Sequence, residues 1–346
     1  MNKSLLALSW MLVLTSICFL SCESDPQGPD KSATGQEVIN KRKIPAFQAD
    51  SAYAYVKKQV DFGIRLMGTP THVQCKDWLA AKLKSFGAEV IEQDFDANVY
   101  TGEKLPATNV IGQYNPDANK RILLCAHWDS RHIAEEDPDE VKKKEPILGA
   151  DDGASGVGVL LEVARLLGEN EIDMGVDIIF FDAEDHGQNR TDPNATQKEI
   201  LDNMRTWCLG SQHWGANKHK ANYKAKYGIL LDMVGAKNAR FPKEEYSLSV
   251  APGVVNKTWK LAKAMGFGNH FVEERDGPIT DDHVFVHQVG GVPTIDIINM
   301  SNKPNQTFGN HWHTHDDNMD VIDKRTLKAV GRVLTAVIYK ENNGEF

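Results

Sequence analysis

Acidic and histidine side chains recur in this sequence where short apolar runs end. The runs at 121–126 and 176–181 are typical of buried strands, and each leads directly into such a motif. Open α/β sheets place their ligand crevices at the carboxyl ends of strands, so we expect these side chains to converge in space. The motifs are centred on His127, Asp152, Glu184 with Asp185, Asp232, Asp281 and His313.

Three of these residues have the composition of a catalytic zinc site. Zinc accepts imidazole nitrogen and carboxylate oxygen, and a catalytic site takes three protein ligands while leaving one position open. Asp152, Asp185 and His313 meet that description. Calcium and magnesium favour oxygen ligands, so the histidine favours zinc. Because adjacent residues at a strand end point in opposite directions, Glu184 can approach a substrate as a general base while Asp185 binds the metal.

His127 and Asp232 allow two interpretations. In one, His127 is a further metal ligand oriented by Asp129, and together with Asp232 it completes a second metal site. In the other, His127 is a hydrogen-bonded structural residue, as histidines at strand ends often are. The residues by themselves leave open whether one or two zinc ions are bound.

The elements that must position these residues alternate between strands and helices. That order predicts an α/β fold with a doubly wound, mostly parallel central sheet flanked by helices, in a single domain. We predict helices over 51–62, 71–86, 153–168, 254–265 and 325–339, and strands over 90–95, 108–112, 121–126, 176–183, 227–233 and 293–298.

Two stretches are predicted to be long loops, 132–148 and 186–206. Long loops at the carboxyl edge of a sheet usually shape an active site. We assign that role to the second loop because it follows Glu184 and Asp185 directly. The charged run 135–144 in the first loop is interpreted as solvated surface.

The N-terminal residues have the three-part layout of an export signal. Lys3 precedes an apolar run that ends at Ser21 and Cys22, and a Pro- and Gly-containing stretch follows. We predict a lipoprotein-type signal over 1–21, lipid attachment at Cys22, a flexible tether over 22–47 and a catalytic domain over 48–346. The alternative is simple cleavage and a soluble periplasmic protein. Either way, the protein is expected to be exported.

Composition and cysteine content limit the possible partners and cross-links. The 346 residues carry a net charge of −9 without a Lys/Arg cluster, which argues against binding to nucleic acid. Contact with a membrane is expected only through the lipid anchor. Cys75, Cys125 and Cys208 lack the spacing of a thiolate metal site. The sequence leaves open whether two of them form a disulfide.

From about Ser51 onward, the sequence resembles the zinc-dependent aminopeptidase superfamily of family M28, and within it the glutaminyl cyclases of animals and bacteria. The motifs at His127, Asp152, Glu184-Asp185 and His313 carry the resemblance to the superfamily. The cyclase branch is favoured by three segments, which are Thr280-Asp281-Asp282-His283, Gly291-Val292-Pro293 and Trp312-His313-Thr314 followed by Asp316-Asp317-Asn318.

This resemblance implies a role for each matching residue. It makes Asp152, Asp185 and His313 the zinc ligands, Glu184 the acid/base, and Asp232 and Asp281 a hydrogen-bonded acidic pair. Trp312 and Trp207 would form walls of the substrate pocket. Asp296 stands where the animal enzymes place a histidine and is assigned to substrate binding.

The resemblance implies conversion of the N-terminal glutamine of peptides or proteins to pyroglutamate, with release of ammonia. The alternative is an aminopeptidase with two zinc ions, in which His127 and Asp232 hold the second ion and Glu184 activates a bridging water. A third interpretation, an inactive metal-binding lipoprotein, is weakened by Glu184, because a structural site needs no free acid beside it.

Overall fold

The computed structural model describes residues 41–189, 192 and 194–346. The predicted signal, the lipid-attachment residue Cys22 and most of the predicted tether lie outside these residues. Within the described ranges, the helices are too short or too polar to span a membrane.

Two sheets contain the strands of the described residues. The larger one has six strands, and the smaller one pairs two parallel strands. The strands are β1 (Glu89–Asn98), β2 (Lys104–Tyr114), β3 (Arg121–His127), β4 (Gly175–Phe181), β5 (Gly228–Asp232), β6 (Phe241–Glu244), β7 (Phe271–Asp276) and β8 (Thr294–Ile298).

The order of strands in the larger sheet is β1-β2-β4-β3-β5-β8. Four neighbouring strands, β4, β3, β5 and β8, are parallel, whereas β1 and β2 add an antiparallel edge. His127 at the end of β3 pairs in register with Phe181 at the end of β4, and Asp232 ends β5 beside Ile298. The motifs that follow these strands therefore start at one edge of the sheet.

Alternate residues of the central strands contribute to two hydrophobic cores. In β3, Ile122 and Leu124 belong to the larger core, whereas Leu123 and Cys125 belong to the core on the opposite face. All four side chains are fully buried. A strand covered on both faces must be apolar along its whole length, which explains the continuous apolar runs in the sequence.

Helices cover both faces of the sheet. The helices of the described residues are α1 (Ala49–Asp61), α2 (Pro70–Ser85), α3 (Ala154–Glu169), α4 (Gln197–Met204), α5 (Leu209–Ala216), α6 (Glu245–Val250), α7 (Pro252–Ala264), α8 (Asp282–Gln288) and α9 (Lys324–Asn342). The helices α1, α3 and α9 pack against one another on one side, and α5 packs against α8 on the other.

The predicted fold class is confirmed, and each predicted helix and strand occurs with boundaries shifted by at most four residues. The predicted loop 186–206 contains the helix α4, and the strands β6 and β7 and the helices α6 and α8 were not predicted. These elements span four to eight residues, too few for a helical or strand period to stand out from the surrounding sequence.

Candidate active site

Asp152, Asp185 and His313 come together at the carboxyl edge of the sheet. Asp152 precedes α3, Asp185 follows β4, and His313 lies in the long segment between β8 and α9. His313 Nε2 is 3.3 Å from Asp185 Oδ1 and 3.7 Å from Asp152 Oδ2. One ligand atom from each residue lies within 4.8 Å of the others, and all three side chains are buried.

The electrostatics of this group fit a divalent cation. Asp185 Oδ2 is buried without a hydrogen-bond partner. Burial and the neighbouring charge of Asp152 raise the pKa of Asp185 to about 6. Arg131 Nη1 lies 3.6 Å from Asp185 Oδ1, and a metal ion would add the further positive charge that favours the ionised form of these buried carboxylates. One imidazole nitrogen and two carboxylates are a donor set that zinc accepts, so the residues fit that ion.

The imidazole of His313 is oriented by Glu135 and Arg131. Glu135 Oε1 lies 3.0 Å from His313 Nδ1, which directs Nε2 towards the two aspartates. Arg131 is fully buried and donates to the Glu135 carboxylate at 2.7 Å. Burial lowers the pKa of His313, but Asp185 and Glu135 outweigh it and raise that pKa to about 9. The interpretation of 135–144 as solvated surface is therefore wrong for Glu135, whose side chain is 13% exposed.

Backbone hydrogen bonds hold the acidic segments in place. The carboxylate of Asp129 accepts from the backbone N–H groups of Glu184 at 3.2 Å and Asp185 at 3.1 Å. Asp317 accepts in the same way from Asp151 at 2.7 Å and Asp152 at 3.1 Å. Each buried carboxylate thus fixes the chain that carries a ligand. Of the contacts made by Asp129 and Asp317, only the one between Asp129 and His127 was predicted, because a carboxylate that accepts from distant backbone N–H groups leaves no local signal in the sequence.

His127 and Asp232 adjoin the first group through Asp152. His127 Nε2 is 2.9 Å from Asp152 Oδ1 and 3.3 Å from Asp232 Oδ1. Its Nδ1 lies 3.3 Å from Asp129, which is the predicted orienting contact. His127, Asp152 and Asp232 form a second set of possible ligands, and Asp152 is common to both sets. Gly153 permits this approach, because a Cβ there would be 2.5 Å from the carbonyl oxygen of His127.

Glu184 lies beside the ligands without belonging to the first group. Its side chain is almost fully buried, and burial raises its pKa well above the usual value, with the nearby charge of Asp281 adding to the effect. The thiol of Cys208 donates to Glu184 Oε1 at 3.2 Å. A carboxyl group with a raised pKa can both accept and return a proton near neutral pH.

Cys75, Cys125 and Cys208 are all free thiols, so the described structure contains no disulfide among them.

Asp281 and Asp232 lie close enough for their charges to interact. The Asp281 carboxylate accepts from the backbone N–H of Asp282 and so begins α8. Burial raises the pKa of Asp232 well above its usual value, and the charges of Asp152 and Asp281 contribute. Asp232 Oδ1 also lies 3.3 Å from His127 Nε2, and the implied pairing of Asp232 with Asp281 stays a prediction.

Asp296 lies behind the site. It is fully buried in the middle of β8, with Oδ2 3.7 Å from His283 Nδ1. Burial and the charges of Asp281 and Asp232 raise its pKa well above the usual value. Asp296 is not among the residues that line the cavity beside Glu184, and its assignment to substrate binding stays a prediction.

A cavity of about 260 Å³ opens directly onto Glu184 and onto the candidate ligands Asp152, Asp185 and His313. Trp312 stacks on the ring of His313 with centroids 3.7 Å apart, and Trp207 lies nearly parallel to that ring at 6.2 Å. The guanidinium of Arg131 lies over the indole of Trp207, 4.4 Å from its centroid. Both predicted tryptophans thus line the cavity. Its apolar lining also includes Met204, Met233, Pro278, Ile279, Ile298 and Phe308.

Comparisons with known proteins agree with this architecture. Glutaminyl cyclase from Bacteroides thetaiotaomicron, solved with N-acetylhistamine bound, is 51% identical to this chain with a TM-score of 0.80, covering 86% of this chain and 99% of the other. A structure described as a leucine aminopeptidase precursor from the same organism is 50% identical with a TM-score of 0.79 and the same coverage.

A more distant relative is the glutaminyl-peptide cyclotransferase of Bothrops jararaca. It is 25% identical over 310 residues, which cover 81% of this chain and 78% of that protein. The model of peptidase family M28 matches residues 109–338, a range that contains all the candidate ligands. The resemblance described from the sequence is therefore confirmed, and the chain belongs to peptidase family M28.

Proposed function

We propose that the protein is a zinc-dependent glutaminyl-peptide cyclotransferase, which converts the N-terminal glutamine of peptides or proteins to pyroglutamate. One observation carries the proposal: Glu184, a buried acid outside the first ligand group, shares a small cavity with that group and with two tryptophans. At about 260 Å³, this cavity is slightly smaller than the range of pockets for drug-sized ligands, as expected for one residue of a peptide. The similarity to glutaminyl cyclases supports the same reaction.

Glu184 performs the proton transfers of this reaction. The α-amine of the glutamine attacks the side-chain amide carbon, so a carbon–nitrogen bond forms and closes a five-membered ring. Glu184 accepts the proton that the amine loses and returns a proton to the departing amide nitrogen, which leaves as ammonia. The carboxylate is regenerated and no water is consumed.

Asp152, Asp185 and His313 would hold the zinc ion. When bound, zinc polarises the carbonyl of the reacting amide and so favours attack by the amine. Glu135 and Arg131 keep His313 in the orientation that this requires.

Trp207 and Trp312 would hold the substrate in a reactive geometry. The amine and the amide belong to the same residue, so the cavity has only to restrict the rotations of one side chain. Such restriction accounts for a large part of the rate in reactions between well-oriented groups. The indoles also limit the access of water to the reacting atoms.

The aminopeptidase alternative has an observation of its own. The second ligand set, His127, Asp152 and Asp232, shares Asp152 with the first, which is the arrangement that a site with two metal ions needs. In that reaction Glu184 would activate a water molecule and a free amino acid would be released. The two functions therefore differ in their products and in the number of zinc ions.

Mass spectrometry of the products distinguishes the two functions. The purified domain is incubated with a glutamine-initiated peptide and with a leucine-initiated peptide of otherwise identical sequence, and zinc is quantified in the same sample. We expect loss of one ammonia from the glutamine peptide only, with about one zinc per chain. Release of the first residue from either peptide would show an aminopeptidase. Glu184→Gln is expected to abolish turnover while zinc content stays unchanged.

We also propose that the protein is exported and anchored by a lipid at Cys22. The support is the charge, apolar run and Ser21-Cys22 sequence of the N-terminus. Growth of producing cells with labelled palmitate tests this directly. Label in the wild-type protein and none in Cys22→Ala is expected, whereas an unlabelled wild-type protein in the soluble periplasmic fraction would contradict the anchor.

A further inference from the structure

We propose that Cys208 is a positioning residue for Glu184, whose thiol holds one carboxylate oxygen so that the other meets the substrate. This inference rests on the proposed function, since Glu184 matters most if it transfers protons. Cys208 Sγ lies 3.2 Å from Glu184 Oε1. Among the described residues, this thiol is the one side-chain group that donates a hydrogen bond to the Glu184 carboxylate.

Two other groups lie near the Glu184 carboxylate: Asp281, whose carboxylate is an acceptor when ionised and lies within 4.8 Å of it, and His127. His127 Nδ1 lies 3.9 Å from Glu184 Oε2, beyond the length of a hydrogen bond, and is already directed at Asp129. Without the thiol, the carboxylate would be free to change its side-chain rotamer inside the cavity. The thiol occupies Oε1 and leaves Oε2 available for the amine of the substrate.

The thiol is a stable donor in this environment. Cys208 is fully buried between Glu184 and the side chains of Val284 and Phe285 on α8. Burial raises its pKa well above the usual value, and the neighbouring charge of Glu184 acts in the same direction. The sulfur therefore stays protonated at neutral pH and keeps its hydrogen for the contact.

The backbone aims the thiol at its partner. Cys208 has φ +56° and ψ 38°, in the left-handed region that disfavours residues with a Cβ. Its N–H donates to the carbonyl of Glu184 at 2.9 Å, and the N–H of Leu209 donates to the carbonyl of Ala183 at 2.9 Å. These two hydrogen bonds tie the start of α5 to the turn that carries Glu184. Glycine would suit this conformation better but would place no donor beside the carboxylate.

Three substitutions separate the thiol from the backbone and from packing. Cys208→Gly relaxes the backbone and removes the thiol, Cys208→Ala removes the thiol but keeps the Cβ, and Cys208→Ser keeps a donor, the smaller hydroxyl, at the same position. We expect kcat for glutamine peptides to fall about 10-fold in the Gly and Ala variants with KM nearly unchanged, because a misplaced catalytic group slows the chemical step more than it weakens binding. The serine variant should recover most of the loss.

Controls keep the test specific to the contact with Glu184. Cys75→Ala removes another fully buried thiol, from α2, and should leave kcat unchanged. Zinc content and thermal unfolding are measured for every variant. Gly and Ala variants with kcat within about twofold of wild type would overturn the proposal. A loss of kcat that follows the loss of stability and is not recovered by serine would also overturn it, because it would indicate packing alone.

A spectroscopic measurement tests the contact independently of activity. The S–H stretching band lies in a part of the infrared spectrum that other protein groups leave clear, and it shifts with hydrogen bonding. The band lost in Cys208→Ala is assigned to Cys208. It should move towards the position of a free thiol in Glu184→Ala, and an unmoved band would overturn the proposal. A wild-type protein that forms no pyroglutamate would instead refute the proposed function.

Discussion

Removal of the Glu135 carboxylate should weaken zinc binding, although Glu135 is not itself a candidate ligand. Its Oε1 lies 3.0 Å from His313 Nδ1, and Arg131 donates to both of its oxygens at 2.7 and 3.2 Å. The negative charge increases the basicity of the imidazole and fixes its rotation. Glu135→Gln keeps an oxygen acceptor without the charge, whereas Glu135→Ala removes both.

The expected magnitude follows from the position of Glu135 behind the ligand. Changes to groups that orient a ligand weaken metal binding by about 10- to 100-fold. This corresponds to about 1.4 to 2.8 kcal/mol of binding free energy. Glu135→Gln should lie at the lower end and Glu135→Ala at the upper end. The alanine variant also leaves the fully buried Arg131 without its carboxylate partner, so its thermal stability should fall as well.

Zinc affinity is measured by competition with a chromophoric chelator at neutral pH. Glu140→Gln is the matched control, because Glu140 belongs to the same charged run but its side chain is 82% exposed. The control should bind zinc like the wild type. If Glu135→Ala also binds zinc within about twofold of wild type, the orienting role is refuted and the contact is incidental.

Three further predictions concern the pocket, the pH dependence and the core. Trp312→Ala should raise KM more than it lowers kcat, because it removes a wall of the cavity. Steady-state kinetics with glutamine peptides measure both constants, and an unchanged KM would contradict this role. Burial raises the pKa of Glu341, but its contacts with Lys226 and Lys120 outweigh burial and lower that pKa below its ordinary value. The stability that these ion pairs contribute is therefore present above the ordinary pKa and is lost as the pH falls through the lowered one. Glu341→Gln should therefore destabilise the protein in urea at neutral pH and much less under acidic conditions, and an equal loss at both would contradict the assignment. Leu124→Ala should lower the free energy of unfolding by about 2 to 5 kcal/mol in the same assay, because Leu124 is fully buried, and a loss below about 1 kcal/mol would show that the core closes around the cavity.

The candidate ligand residues could be predicted from the sequence because their positions follow from local patterns. The run before His127 is apolar at every position, so it marks a strand covered on both faces and locates the end where ligands gather. The glycine and small residues after Asp152 likewise marked the start of a helix. Both signals depend only on neighbouring residues, and the structure retains them in β3 and α3.

Contacts between distant segments could not be identified in this way. Glu135 belongs to a charged run that reads as solvent-exposed, yet it meets His313 across 178 positions of the chain. Asp296 was assigned to the pocket from its position after a motif, but β8 carries it into the interior. Cys208 follows a polar loop and gave no sign of its contact with Glu184, 24 residues earlier.

The sequence by itself determined the fold class, the types of the candidate ligands and the acid beside them, because hydrophobic periodicity and residue chemistry act over short stretches of chain. Tertiary structure decided which carboxylates face one another, which ones orient a ligand and which thiol holds Glu184. These relations arise when separate elements pack against a common sheet. Burial then shifts the pKa values of Asp185 and Glu184 by removing water from groups that would be ordinary acids in the unfolded chain.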